Sequence, residues 1–195
     1  MLPTTPIQNT IRSGVTGALI GVAIVFLYVL FQATQVYELT DTRAMDQAQV
    51  ARNLSRGEGF TTKLVRPLSL ARVPRLSHHP DLANAPLHPF LMSLVFRVFG
   101  PSARAASWTS GAAFLLTIPL ILVLGWRAFG PSRKTGNLAA VGTASSLGLL
   151  TVGCSGTEVA LLTFLFTLLA LLLFLHQEAQ KRRLVVLTIA VGVVT

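Results

Sequence analysis

The sequence predicts an all-α, polytopic helical membrane protein. It has four to five transmembrane helices and a large first outer loop that carries short interfacial helices. Three observations carry this prediction. Of 195 residues, 52% are hydrophobic and only 12% are charged, with mean hydropathy +0.63. Those values exclude an ordinary soluble domain. Apolar runs close to the length that spans a bilayer, about 20 residues, recur along the chain. The order of the parts is also unequal: one apolar span stands alone, a polar and basic stretch follows, and three apolar spans then crowd together. A long polar loop between the first two spans suits work at the membrane surface, which a simple pore or anchor does not need.

The elements follow in order. Residues 1–12 form a short N-terminus ending in the basic flank of Arg12. Residues 13–34 are the first span. The run is too long for a signal peptide and no A-x-A site follows it, so it reads as an anchor. Residues 35–106 are the outer loop. Within it, residues 43–56 read as a helix. Asp41 or Thr42 can cap it, and Gly57 can end it with positive φ. Its apolar stripe (Met45, Ala48, Ala51 or Arg52, Leu54) is narrow, so the helix is expected to lie along the membrane surface. Asp46 and Asn53 share another face. Residues 77–90 are a loop punctuated by prolines, and residues 87–99 are a strongly apolar helix, too short to span, ended by Gly100-Pro101. Arg97 snorkels from it. Residues 107–126 are the second span, kinked at Pro119. Residues 137–154 are a weaker third span rich in small residues. Residues 158–176 are the fourth. A fifth opens at Leu184 and has twelve residues by Thr195. Twelve residues rise only about 18 Å, too little to cross. The expectation is an N-terminal piece of a longer protein.

Net charge is +9. The basic residues flank apolar spans, so membrane lipids and lipid phosphates are the expected partners and nucleic acid is not. Lys/Arg bias places the N-terminus inside, with Arg127, Arg133, Lys134 and Lys181–Arg183 on the same side. The long loop then lies outside, although residues 35–104 hold nine Lys/Arg against five Asp/Glu. A basic outer loop suits a phosphate-bearing lipid. The single cysteine, Cys154, precludes an intrachain disulfide.

The candidate site residues lie in and around that loop. A carboxylate at the membrane face can accept a proton from a hydroxyl or hold a metal, so Asp41 and Asp46 are candidates. Their plain alternative is a helix cap and a solvated charge. His78, His79, Asp81 and His88 could ligate zinc, but their spacing matches no standard zinc site and polar lining is the alternative. No motif names a cofactor, and a divalent metal stays open. Arg104 stands at the mouth of span two and Glu158 at the mouth of span four, where charges are functional or snorkel. No phosphate loop, dinucleotide fingerprint or Ser/His/Asp set of recognisable spacing is present.

Several segments carry a resemblance: Ala51-Arg52-Asn53-Leu54, Gly57-Glu58-Gly59-Phe60, Pro86-Leu87-His88-Pro89, Phe96-Arg97-Val98-Phe99-Gly100 and Arg104-Ala105-Ala106-Ser107. In this order, over about residues 14–180, they resemble the N-terminal part of bacterial GT-C fold polytopic glycosyltransferases, related to protein O-mannosyltransferases and aminoarabinose transferases. The resemblance implies transfer of a sugar from a polyprenyl-phosphate donor at the outer face of the cell's inner (plasma) membrane. A first-loop aspartate would be the base or position the acceptor. Two departures stand out: the usual D-E-x-x-Y is absent, and Gln47 stands where the aromatic is expected. Asp46 fits the spacing to Ala51-Arg52 better than Asp41, and the choice between them stays open. Arg52, Arg97 and Arg104 are the candidate donor-phosphate ligands; Glu158 and His88 are further site candidates. The competing readings are a non-catalytic lipid-binding or assembly protein on the same scaffold, and a transporter, which the lack of a mid-span acid disfavours.

Overall fold

A computed structural model describes residues 21–34, 38–64, 67–73, 79–129 and 133–194. The described elements are helical: α1 (Gly21–Thr34), α2 (Thr42–Ser55), α3 (Pro67–Arg72), α4 (Leu87–Phe99), α5 (Ala103–Ala128), α6 (Arg133–Ser145), α7 (Leu147–Cys154) and α8 (Val159–Val194). One isolated antiparallel bridge joins Thr61 to Pro80.

Two described helices are long and apolar enough to cross a membrane, Ala103–Ala128 and Val159–Gln180. A bent pair brings the number to three. Among the described residues, two to three of the four to five expected spans are thus shown. The weaker third span is bent at Ser146, where α6 and α7 meet at 58°. The bend follows a stretch of small and hydroxylated residues. Thr143 Oγ1 bonds Ala139 O at 2.8 Å and Ser145 Oγ bonds Val141 O at 2.9 Å. Hydroxyls that bond back to the preceding turn compete with the ladder and bend helices. The expected gap between spans four and five is also absent, because α8 runs unbroken from Val159 to Val194. The connecting residues His176–Arg183 include no Gly or Pro and are mostly good helix formers. Of the first expected span, α1 is described; residues 13–20 lie outside the described residues.

The spans meet around α5. Its small residues let neighbours approach, as membrane helices require. A Cβ on Gly111 would sit 1.7 Å from the Tyr28 hydroxyl, so glycine is what admits that ring from α1. Tyr28 is fully buried, edge-on to Trp108 at 6.2 Å, with its hydroxyl 3.2 Å from Gly153 O. The outer faces of α5 and α8 leave Leu116, Phe166, Leu169, Leu172 and Leu173 exposed. Such faces suit hydrocarbon.

The loop is a second packed unit on the ends of these spans. Its core is Ala51, Met92, Phe96, Ala105 and Ala106, from α2, α4 and α5. Burying Met92 and Phe96 contributes about 1.5–3 kcal/mol each. Of the expected apolar stripe of α2, Ala51 joins this core and Ala48 packs against it. Met45 is 48% exposed, and the buried face carries Ala44, Asp46, Gln47, Val50, Ala51 and Asn53. The buried face is therefore mixed: its apolar members pack on α4, while Gln47 meets His88 of α4 and Glu158 at the α7–α8 turn.

Candidate active site at the mouth of the spans

Local chemistry starts and ends α2. Asp41 is its N-cap, with Oδ1 accepting from Arg43 N at 2.7 Å and Ala44 N at 3.4 Å. Gly57, at φ 81°, follows the C-cap. Beyond it, Asn53 Nδ2 donates to Thr61 O at 2.9 Å. Thr62 N donates to His79 O at 2.8 Å and Asp81 N to Phe60 O at 3.1 Å. These bonds seat the segment carrying Asp81 and Asn84 against α2.

Asp46 is buried there. Asn84 Nδ2 donates to Asp46 Oδ2 at 3.0 Å and to Asp81 Oδ2 at 2.6 Å, so one amide holds two carboxylates. A cavity of about 410 Å³ opens beside them, lined by Thr42, Arg43, Asp46, Leu64, Ala83 and Asn84. Positions 43 and 46 are three residues apart and share a helix face, so a cation and a carboxylate border one space.

Behind the cavity lies a buried polar chain. Arg43 pairs with Glu158 Oε1 at 2.5 Å, its own side chain 65% exposed and that of Glu158 8%. Gln47 Nε2 donates to Glu158 Oε2. His88 Nδ1 lies 2.9 Å from Gln47 Oε1, and Ser110 Oγ lies 3.5 Å from His88 Nε2 while donating to Thr157 O at 2.8 Å. Burial pushes His88 down to about 4, against the smaller upward pull of the Glu158 charge. Gly156, at φ 74°, turns the chain from α7 into α8 and brings Glu158 to α2; a Cβ there would meet Leu39 at 2.9 Å.

Of the residues singled out from sequence, Asp46, His88 and Glu158 lie in or behind this cavity. Asp41 does not line it: its carboxylate is engaged in capping. Arg52 is half-buried in a different cavity, of about 360 Å³, on another face of α2 with Gln49, Phe96 and Ser102; its Nε has no hydrogen-bond partner among the described residues. Arg97 and Arg104 are exposed and line neither cavity. Among the described residues no three His, Cys, Asp or Glu side chains converge as a metal site, and His78 lies outside those residues. Sequence reading missed Arg43, Asn84 and Ser110 and did not give Gln47 a role. Only Arg43 had a readable signal, its i,i+3 relation to Asp46.

These features define a membrane protein whose buried acid, cation and neutral imidazole gather where the loop meets the spans. The profile of the dolichyl-phosphate-mannose-protein mannosyltransferase family matches residues 78–195, more than half of the chain. The chain belongs to this family of GT-C glycosyltransferases. The matched segment includes His88, Ser110 and Glu158, while α2 with Asp46 precedes it. No curated protein and no solved structure matches the chain.

Proposed function

We propose that this chain carries the sugar-transfer site of a membrane mannosyltransferase that uses a polyprenyl-phosphate donor at the outer face of the plasma membrane. One observation supports this above others: Asp46 and Arg43 border the same cavity, each held by a partner behind it. Its volume of about 410 Å³ falls within the range of small-ligand sites, about 300–1,000 Å³. The family supplies the lipid-linked sugar donor.

In this reading the acceptor hydroxyl gives its proton to the Asp46 carboxylate as its oxygen attacks the anomeric carbon. The bond from that carbon to the phosphate oxygen breaks, and the departing polyprenyl phosphate keeps the electron pair. Arg43 stabilises the charge that develops on it, where a guanidinium can hold two oxygens at once. Glu158 orients Arg43. Arg52, in the neighbouring cavity, is a second cation available to lipid phosphate. Transfer from lipid-linked mannose by membranes carrying the wild type and Asp46→Asn tests the reading. An unchanged rate in the variant refutes it.

A further inference from the structure

The polar chain behind the cavity has a direction, and the direction follows from donor and acceptor counting. The Glu158 carboxylate, paired with Arg43, can only accept hydrogen bonds. Gln47 must therefore turn its NH₂ toward Glu158 and its Oε1 toward His88. An acceptor facing Nδ1 requires a proton there, so His88 is the Nδ1–H tautomer. Its Nε2 is then a bare acceptor. The nearest hydroxyl, Ser110 Oγ, is 3.5 Å away and gives its proton to Thr157 O. Every link is buried except the Arg43 side chain, which reaches the cavity.

We propose that Gln47 is a positioning residue: with His88 it forms a one-way hydrogen-bond chain that fixes Glu158 and, through it, aims Arg43 at the Asp46 cavity. The inference rests on the transfer reading above. A long, largely exposed arginine side chain has many rotamers to lose, and a single flexible carboxylate leaves much of that freedom. Gln47 removes the freedom of the carboxylate. His88 in turn prevents the Gln47 amide from flipping, because the flipped amide would face Nδ1–H with its own NH₂ and Glu158 with its carbonyl. Burial disfavours charging the ring, which keeps the chain in one protonation state.

The test measures mannose transfer from a lipid-linked donor by the full chain in membranes, with kcat and donor KM separated. Gln47→Leu and His88→Leu are expected to lower kcat by about 10- to 100-fold, the weight of a hydrogen bond to a charged group. Donor KM should change less, because charge builds on the phosphate at the transition state. His88→Asn places an NH₂ near the position of Nδ1 and should recover kcat to within about fivefold, since it restores the donor that the leucine lacks. A purely structural role predicts no such rescue. Should the leucine variants fail to accumulate, Gln47→Glu reads the same point at equal volume by setting acceptor against acceptor, and should lose activity. The proposal is overturned by wild-type kcat in Gln47→Leu or Gln47→Glu, or by His88→Asn as impaired as His88→Leu. Asp46→Asn is assayed beside them. If it alone is inactive, the relay fails and the transfer reading stands; if it too turns over normally, the transfer reading falls.

Discussion

Replacing Asp46 by asparagine separates chemistry from architecture. The carboxylate accepts Asn84 Nδ2 at 3.0 Å through Oδ2. An asparagine at 46 can turn its carbonyl oxygen to the same donor, so that bond survives. The structural cost should stay within about 1 kcal/mol, the net worth of one neutral hydrogen bond. Proton acceptance does not survive, because an amide is not a base at neutral pH. Loss of a positioned general base costs about 10²–10⁴ in rate, which corresponds to about 3–5 kcal/mol of barrier. The chemical effect thus exceeds the structural one severalfold. Initial rates of mannose transfer should fall by that factor, while detergent-solubilised protein keeps its melting temperature to within a few degrees. Turnover within threefold of wild type would refute the assignment of Asp46 as base. Equal losses of turnover and of folded protein would refute the separation argued here.

Arg43→Ala should cut kcat by about 10- to 100-fold and raise donor KM, with Arg43→Lys intermediate because a point charge replaces a bidentate fork; titration of the lipid-linked donor checks this. Asp41→Ala should lower stability by about 1 kcal/mol through loss of the α2 cap, with transfer per folded molecule unchanged, read by thermal melting beside the rate. His88 is depressed from 6.5 to about 4, so between those values the unfolded chain binds the proton first. Stability should be full above about pH 6.5 and fall by up to about 3 kcal/mol on approach to pH 4; melting temperature against pH, flattened in His88→Asn, is the check. With the loop outside, a cysteine introduced by Lys63→Cys should react with an impermeant reagent added to intact cells, and labelling confined to inverted vesicles would reverse the topology.

Much of the fold was legible because its signals are local. Asp41 and Gly57 bound α2 to within two residues of expectation, and Gly100-Pro101 marks the end of α4. The errors came where hydropathy was asked about helix continuity. A run of apolar residues reports preference for lipid, and it is blind to the bend of 137–154 at Ser146. The polar run 176–183 reports preference for water, yet its residues are good helix formers and α8 passes through it. The apolar stripe read for α2 accounts for only part of its buried face. That face also carries Asp46, Gln47 and Asn53, whose partners lie elsewhere in the chain, and no pattern within the helix alone reveals them.

The site shows the same limit more sharply. Asp46, His88 and Glu158 were each conspicuous, since ionisable groups near lipid need a reason. What joins His88 to Glu158 is Gln47, which the resemblance marked only as a residue in an aromatic's place. Its bonds reach 41 residues to His88 and 111 residues to Glu158. An aromatic ring there would offer neither a donor for a carboxylate nor an acceptor for an imidazole. Glutamine there therefore suits the Glu158 carboxylate and a neutral His88: with a ring at 47, the buried carboxylate would lose one of its two partners and Nδ1–H would face apolar carbon. Each unmet group would cost about 1–3 kcal/mol or more. Residues 47, 88 and 158 are accordingly one unit, in which a replacement at 88 must keep a donor toward position 47 and one at 47 must keep both a donor and an acceptor.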